Sequence, residues 1–234
     1  MKPVIFMHVA TLKNYQQIVN DVIDRLLVSN LINEILFIHF NVVGNGLLDF
    51  GKLPNQYRDK LIVSRYGNLR DFEVPTIKLI MDYVKNLRKN TPVLYLQTLS
   101  VSPWNYNIPG YWDRRDLFFY QTINKFKNCL EHLKIYDACG CNWNKDMSLF
   151  CDYQQHFSGN IWWANSEYLK TLPNYEWLIQ KENYVIDLKH QPEFWIGMNP
   201  KIKHKSLYTW DFTDLEGGER LKKERYITDE INNI

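Results

Sequence analysis

A chain of 234 residues with 45% hydrophobic and 23% charged side chains has the composition of a globular protein and the length for one sizeable domain with a large core. Its 28 Lys and Arg against 26 Asp and Glu leave a net charge of only +2, which excludes the strongly basic footprint of a protein built for nucleic acid or anionic membrane. Aromatic residues are in excess at 15%, with 8 Trp and 15 Tyr, so amphipathic rings need a use beyond filling a core.

The first element is PVIFMHVA, a short apolar run suited to a buried strand over 3–10; His8 interrupts it and no small-residue cleavage site follows, so it does not read as a signal peptide. Ile18, Val22 and Leu26 then recur at i, i+4 and i+8 with Val19, Ile23 and Leu27 beside them. That spacing predicts an amphipathic helix over 14–30 with Asn14 as its N-cap. Strands are predicted over 34–40 and 60–66, separated by a loop rich in Gly, Asn and Pro. Pro75 opens a helix over 75–89, and PVLYLQT makes a fourth strand over 92–98. This alternation builds an α/β fold, an open and mostly parallel sheet flanked by helices. A long helix follows over 113–134, carried by Leu117, Tyr120, Phe126, Leu130 and Leu133. The rest is irregular and aromatic. The charged stretch 215–234, which contains Gly217-Gly218, reads as a peripheral helix or tail beyond a single domain over 1–214.

No apolar run approaches the roughly 20 residues that span a bilayer. Cys129, Cys139, Cys141 and Cys151 contain no zinc-type C-x-x-C pair, so free thiols in a reducing, cytoplasmic setting are expected. Familiar nucleotide motifs are missing. The nearest match to a dinucleotide fingerprint, GNG at 44–46, does not open a helix, and neither G-x-x-x-x-G-K-[ST] nor G-x-S-x-G occurs. No His/Asp cluster has metal-ligand spacing, which disfavours a phosphodiesterase or nuclease.

What remains is an ordered set of short pieces. His8, Val9 and Ala10 end the first strand; Asn14-Tyr15 begin the helix that closes with Ser29 and Leu31; Glu73, Pro75 and Thr76 start the next helix; HFSGNIWWA occupies 156–164 and EFWI 193–196. In this order the set resembles a glycosyltransferase domain of the GT-A fold, of the small type found in large DNA viruses such as the chloroviruses and in some bacteria, over most of the chain. The resemblance implies a nucleotide-sugar donor, its base and ribose held by a Rossmann-like N-terminal half through Val9, Ala10, Thr11 and Tyr15, with His8, Glu73, Thr76, Gln97 and Thr98 around it. It implies a glycan or other hydroxyl acceptor in the C-terminal half, and a catalytic carboxylate, for which Glu193 is the candidate and Asp152 the second. GT-A enzymes commonly hold a divalent ion, Mn or Mg, on Asp-x-Asp at the end of the strand matching VLYL. This chain has Gln97-Thr98-Leu99 there, so no metal ligand is assigned, and Arg115 is the basic candidate for the diphosphate.

The HFSGNIWWA stretch suits that reading physically. A sugar offers apolar C–H faces and a rim of hydroxyls, and Trp162, Trp163, His156, Ser158 and Asn160 supply flat surface and hydrogen-bonding groups together. Gly159 allows close backbone approach. Adjacent residues on a strand point to opposite faces, so one tryptophan is expected to line the sugar pocket and the other to join the core. Taken singly, the tryptophans also suit a core, His8 a satisfied buried histidine, and Arg114 and Arg115 a solvated helix face. Glu193, embedded among Phe194, Trp195 and Ile196, is a carboxylate that burial would tune toward proton transfer. The reading from a different class is a glycosyltransferase fold without turnover that acts as a carbohydrate- or nucleotide-binding module, favoured by Gln97-Thr98-Leu99.

Overall fold

The computed structural model describes residues 1–99, 101, 108–144, 155–181, 188–209 and 220–227. Strand β1 (Val4–Ala10) is followed by helix α1 (Tyr15–Val28), whose Ile18, Val19, Val22, Ile23 and Leu26 are buried on one face as their spacing predicts. Asn14 stands at the N-cap position but its side chain makes no cap hydrogen bond. A helical turn, α2 (Leu31–Glu34), precedes β2 (Ile38–Val43), so the second strand lies later than the sequence pattern placed it. The cause is the register with β1, which pairs Ile5 with Ile38 and Ala10 with Val43. Asn41, a polar residue inside this buried strand, gave the stretch the look of a loop. Edge strand β3 (Leu61–Arg65), helix α3 (Val74–Lys85) with proline in its first turn, and β4 (Pro92–Gln97) complete the N-terminal half.

The long helix expected over 113–134 is broken into α4 (Pro109–Phe119), one wide turn (Tyr120–Asn124) and α5 (Phe126–His132). The break has a physical agent. Trp163 Nε1 donates to the Thr122 carbonyl at 2.8 Å, and an indole taking a carbonyl from the helical ladder widens that turn into i→i+5 bonding, seen as Lys125 N–H to Tyr120 O at 3.0 Å.

Beyond it come β5 (Ala138–Gly140), the short pair β6 (Trp143–Asn144) and β7 (His156–Phe157), β8 (Trp162–Asn165), the helical turns α6 (Ser166–Leu169), α7 (Tyr175–Leu178) and α8 (Gln191–Trp195), and β9 (His204–Ser206). Among the described residues seven strands form one sheet in the order β3-β2-β1-β4-β8-β5-β9. The pairs β1/β2, β2/β3, β1/β4 and β5/β9 are parallel, whereas β8 runs antiparallel to both β4 and β5. The fold is therefore α/β with a mostly parallel sheet flanked by helices. Strand alternation divides the core in two. Ile5, Met7, Val9, Leu94, Leu96 and Trp163 pack with α1, α4 and α5 on one face; Val4, Phe6, Val93, Tyr95 and Trp162 pack with α3, α6 and α8 on the other. No described helix is long and apolar enough to cross a membrane.

The segment 220–227, ending in α9 (Glu224–Ile227), is docked rather than peripheral, with Leu221 and Tyr226 buried in the first core. It straps α4. Arg220 donates to Asp113 at 2.6 and 2.9 Å, and the Leu221 amide adds a third bond at 3.0 Å. Asp116 accepts from the Tyr226 hydroxyl and pairs with Arg25 of α1 and Lys223. Burial pushes the Asp116 carboxyl up, but these donors and cations outweigh it and hold the group below the usual carboxylate range.

Candidate active site

β1 has β2 on one side and β4 on the other, so the chain leaves its carboxyl end in opposite directions. Open α/β sheets take ligands in the crevice beyond such a switch point. A cleft of about 440 Å³ lies there, floored by His8 and Ala10 of β1, Val43 of β2, and Gln97 and Thr98 at the end of β4, a volume in the range of small-molecule sites. Thr98 ties the two strand ends together: its N–H donates to His8 O at 3.0 Å, and its hydroxyl accepts the Ala10 N–H at 3.0 Å.

The walls differ in chemistry. Leu12, Leu69 and Phe72 join Val43 to make one side apolar, while Arg114, Lys189, His190, Glu73 and Glu193 bring charge and hydrogen-bonding groups to the rest. Phe72 has φ 50° and ψ −133°, a positive-φ conformation outside the left-handed helical basin that costs a bulky residue about 1–3 kcal/mol and recurs at ligand sites.

The turn Ser158-Gly159-Asn160 connects the two carboxylates. Gly159 N–H donates to Glu193 Oε1 at 2.6 Å, Gln97 Nε2 donates to Gly159 O at 2.9 Å, and Asn160 Nδ2 donates to Glu73 Oε2 at 2.5 Å. Tyr95 OH gives Glu73 Oε2 a second donor at 2.5 Å, and Trp162 Nε1 fixes the Asn160 amide from behind at 2.7 Å. Glycine is required at 159: φ is +85°, and a Cβ would lie 2.4 Å from Phe118 and 3.0 Å from Arg114.

Burial sets the protonation states. Glu73 keeps some accessible surface on the cleft, but its carboxyl is enclosed, and that burial pushes its pKa from 4.5 up to about 7; Tyr95, Asn160 and Gln97 pull it down while the charge of Glu193 raises it. Burial holds His8 at about 3, a neutral imidazole at all ordinary pH. Arg114 is lowered by burial against the opposing pull of Glu193 and lies over the Phe118 ring at 5.3 Å.

Of the residues singled out from the sequence, His8, Ala10, Glu73, Gln97, Thr98, Gly159 and Glu193 meet at this cleft. The others stand elsewhere. Val9 alternates into the core; Thr11 braces the loop after β2, accepting from Gly46 N–H at 3.1 Å; Tyr15 OH donates to Leu47 O at 3.0 Å; Thr76 is buried behind His8. Arg115 does not line the cleft but braces it from outside, donating to Leu99 O at 3.3 Å, and its neighbour Arg114 takes the place expected of it, one residue being about 100° of helix turn. The expected division of the tryptophans into opposite faces holds, but neither ring lines the cleft: both are 0% exposed, because each N–H is bonded inside the protein and each ring fills one core. Asn160 serves the cleft indirectly through Glu73, His156 packs edge-on against Phe194, and Ser158 N–H is bonded to Asn142 O. Asp152 lies outside the described residues. The apolar wall, Lys189 and His190 carried no signal in the sequence; Tyr111 and Arg114, three apart on α4, could have been paired as one helix face.

No protein-family model matches the sequence, and no curated protein does. The chain is similar in fold to a nucleotide-diphospho-sugar transferase. That structure, from Desulfovibrio desulfuricans G20, shares 11% identity at a TM-score of 0.41 over 96% of this chain and 90% of its own. A 4-diphosphocytidyl-2C-methyl-D-erythritol synthase from Anaerococcus prevotii DSM 20548 gives 12% identity and 0.42 over 98% and 96%; another structure of a synthase of that name gives 8% and 0.40 over 99% and 98%. At these TM-scores and identities the likenesses give no residue-level correspondence.

Proposed function

We propose that the protein is a nucleotide-sugar-dependent glycosyltransferase that transfers a sugar to a glycan or other hydroxyl acceptor in the cytoplasm. The observation that carries this reading is the meeting, in one switch-point cleft, of an apolar slot, a cationic wall and the carboxylate of Glu193. The slot formed by Leu12, Val43, Leu69 and Phe72 suits a nucleobase, and the cations Arg114 and Lys189 suit a diphosphate, Arg114 being able to meet two phosphate oxygens at once. In transfer the acceptor oxygen bonds to the anomeric carbon as the bond to the diphosphate breaks, the leaving group takes the electron pair, and the acceptor proton passes to a base. Glu193 fills that role. Its Oε1 is anchored by Gly159 N–H, which orients the carboxylate.

A divalent ion at the end of β4 does not fit this chain. Gln97 is bonded to Gly159 O, the Thr98 hydroxyl to Ala10 N–H, and Leu99 has no donor atom, whereas hard cations call for carboxylate oxygens. Among the described residues no three His, Cys, Asp or Glu side chains gather as a metal-holding group. The cationic wall is therefore assigned the diphosphate charge.

The test is a panel of nucleotide sugars screened for thermal stabilisation with and without manganese, followed by a hydrolysis and transfer assay of each hit. A ligand at 100 times its Kd should add about 2.7 kcal/mol. Absence of stabilisation by every nucleotide and nucleotide sugar would refute the reading. A second reading, a binding module without turnover, is favoured by Gln97-Thr98-Leu99; binding with no hydrolysis or transfer would select it.

A further inference from the structure

Three residues in register across the sheet, His8 of β1, Asn41 of β2 and Ser64 of β3, form a polar rung inside otherwise apolar strands. Thr76 of α3 bridges the first two, and His39, two residues before Asn41 on the same face of β2, caps the far end. The bonds are continuous: His39 Nε2 to Ser64 Oγ at 2.9 Å, Ser64 Oγ to Asn41 Oδ1 at 2.9 Å, Asn41 Nδ2 to Thr76 Oγ1 at 2.9 Å, and Thr76 Oγ1 to His8 Nδ1 at 3.0 Å. Asn41, Thr76 and His8 are buried and Ser64 and His39 half-buried; buried polar groups are tolerated only when bonded, and here each hydroxyl has one proton to give.

That constraint makes the chain directional. Ser64 spends its proton on Asn41, so it must accept from His39 Nε2–H. Thr76 accepts from Asn41, and its own proton goes to His8 Nδ1. His8 then carries its proton on Nε2, the nitrogen left to the cleft it lines. The opposite direction arises if the Asn41 amide turns over, exchanging two groups of nearly the same shape. His39 would then accept from Ser64, and His8 would hold its proton on Nδ1 and turn a bare Nε2 to the cleft. A protonated His39 has N–H on both nitrogens and can only donate, which permits the first direction alone.

We propose that His39, Ser64, Asn41 and Thr76 are positioning residues that select the tautomer of His8, and that protonation of His39 fixes His8 as a neutral Nε2–H donor for an anionic oxygen in the cleft. A neutral imidazole is suited to this task because it donates without competing for a proton at ordinary pH. His39 is half-buried, so protons reach it from solvent. The Phe6 ring of β1 stacks on it at 5.7 Å and Ser64 of β3 is bonded to its Nε2. Burial is the sole cause acting on its proton affinity, and it lowers it. Protonation raises the donor form of His8 toward all of the population; were the two directions equal above the His39 midpoint, a hydrogen-bond-accepting ligand would tighten by about twofold. The ligand consequence rests on the cleft being a binding site, as proposed above; the tautomer selection does not.

The experiment is long-range 1H–15N NMR of the imidazole rings in the full chain, without ligand, across the His39 titration. The expected result is a His8 pattern that moves to pure Nε2–H with the midpoint of His39, and that ceases to follow it in Ser64→Ala, where the chain is cut at the exposed edge strand. A His8 pattern unchanged through the His39 midpoint in the wild type would overturn the proposal, as would unaltered tracking in Ser64→Ala. Failure of nucleotide sugars to bind would leave this measurement intact, so the two ideas fail separately.

Discussion

Replacing Glu73 by Gln should remove one defined component of the pH dependence of stability. The carboxyl has a pKa near 7 in the folded protein against 4.5 for an unburied glutamate, so the native state holds this proton more tightly than the unfolded chain. For an acid raised in this way stability is full below about 4.5, falls as pH rises, and levels off above about 7. A tenfold difference in proton affinity is worth about 1.4 kcal/mol, which puts the whole loss at roughly 3 kcal/mol. The opening onto the cleft lets solvent screen the ionised form, so about 2–3 kcal/mol is the expected range. Glu73→Gln keeps one acceptor oxygen for those donors and removes the titration. Urea unfolding at pH 5, 6, 7 and 8, followed by tryptophan fluorescence, should show the variant gaining on the wild type by up to about 1.4 kcal/mol per pH unit in the middle of the window. Other groups titrate equally in both proteins and cancel. Parallel curves for the two proteins would refute the burial argument.

Glu193→Gln preserves the oxygen that accepts from Gly159 and removes the base, so transfer should fall by about 100-fold or more while donor affinity is retained; full transfer in the variant would eliminate Glu193 as the base. Arg114→Ala should weaken pyrophosphate binding by about tenfold or more, read by calorimetry, whereas Arg115→Ala should leave it unchanged; the reverse pattern would restore the assignment made from sequence. Trp162→Ala and Trp163→Ala should each cost about 3–5 kcal/mol in denaturant unfolding, and a selective loss of ligand affinity in either, at unchanged stability, would contradict their placement in the two cores.

The N-terminal sheet was legible because each strand and helix there obeys its own period: Ile18 to Leu26 announce α1, and Pro75 announces α3. Asn41 hid half of β2, since a lone buried amide reads as a turn until its partners Ser64 and Thr76 are known. The 113–134 helix was misread for a non-local reason, the indole of Trp163 reaching into it from a distant strand. At the cleft, residues at strand ends were accessible to reasoning because topology alone directs them there. Arg114 was not separable from Arg115 without the helix phase, which Pro109 and the packing of Leu117 and Phe118 determine. The tryptophan pair carried a real signal about strand alternation and a false one about sugar, because both rings find N–H partners within the protein.

The strap on α4 has a consequence in time. Asp116 and Tyr226 are 110 residues apart in sequence, and at ribosomal rates α4 is made roughly 5–20 s before the segment that ties it down. During that interval Arg25 of α1 is the partner already available to Asp116, while Asp113 waits for Arg220 and Leu221. The nascent chain can assemble β1 to β4 early, since their contacts are formed among residues already synthesised. The helix that brings Tyr111 and Arg114 to the cleft gains its strap only when residues 220–227 emerge, so the residues of the parallel strands β1 to β4 are all synthesised well before that wall of the cleft can be complete.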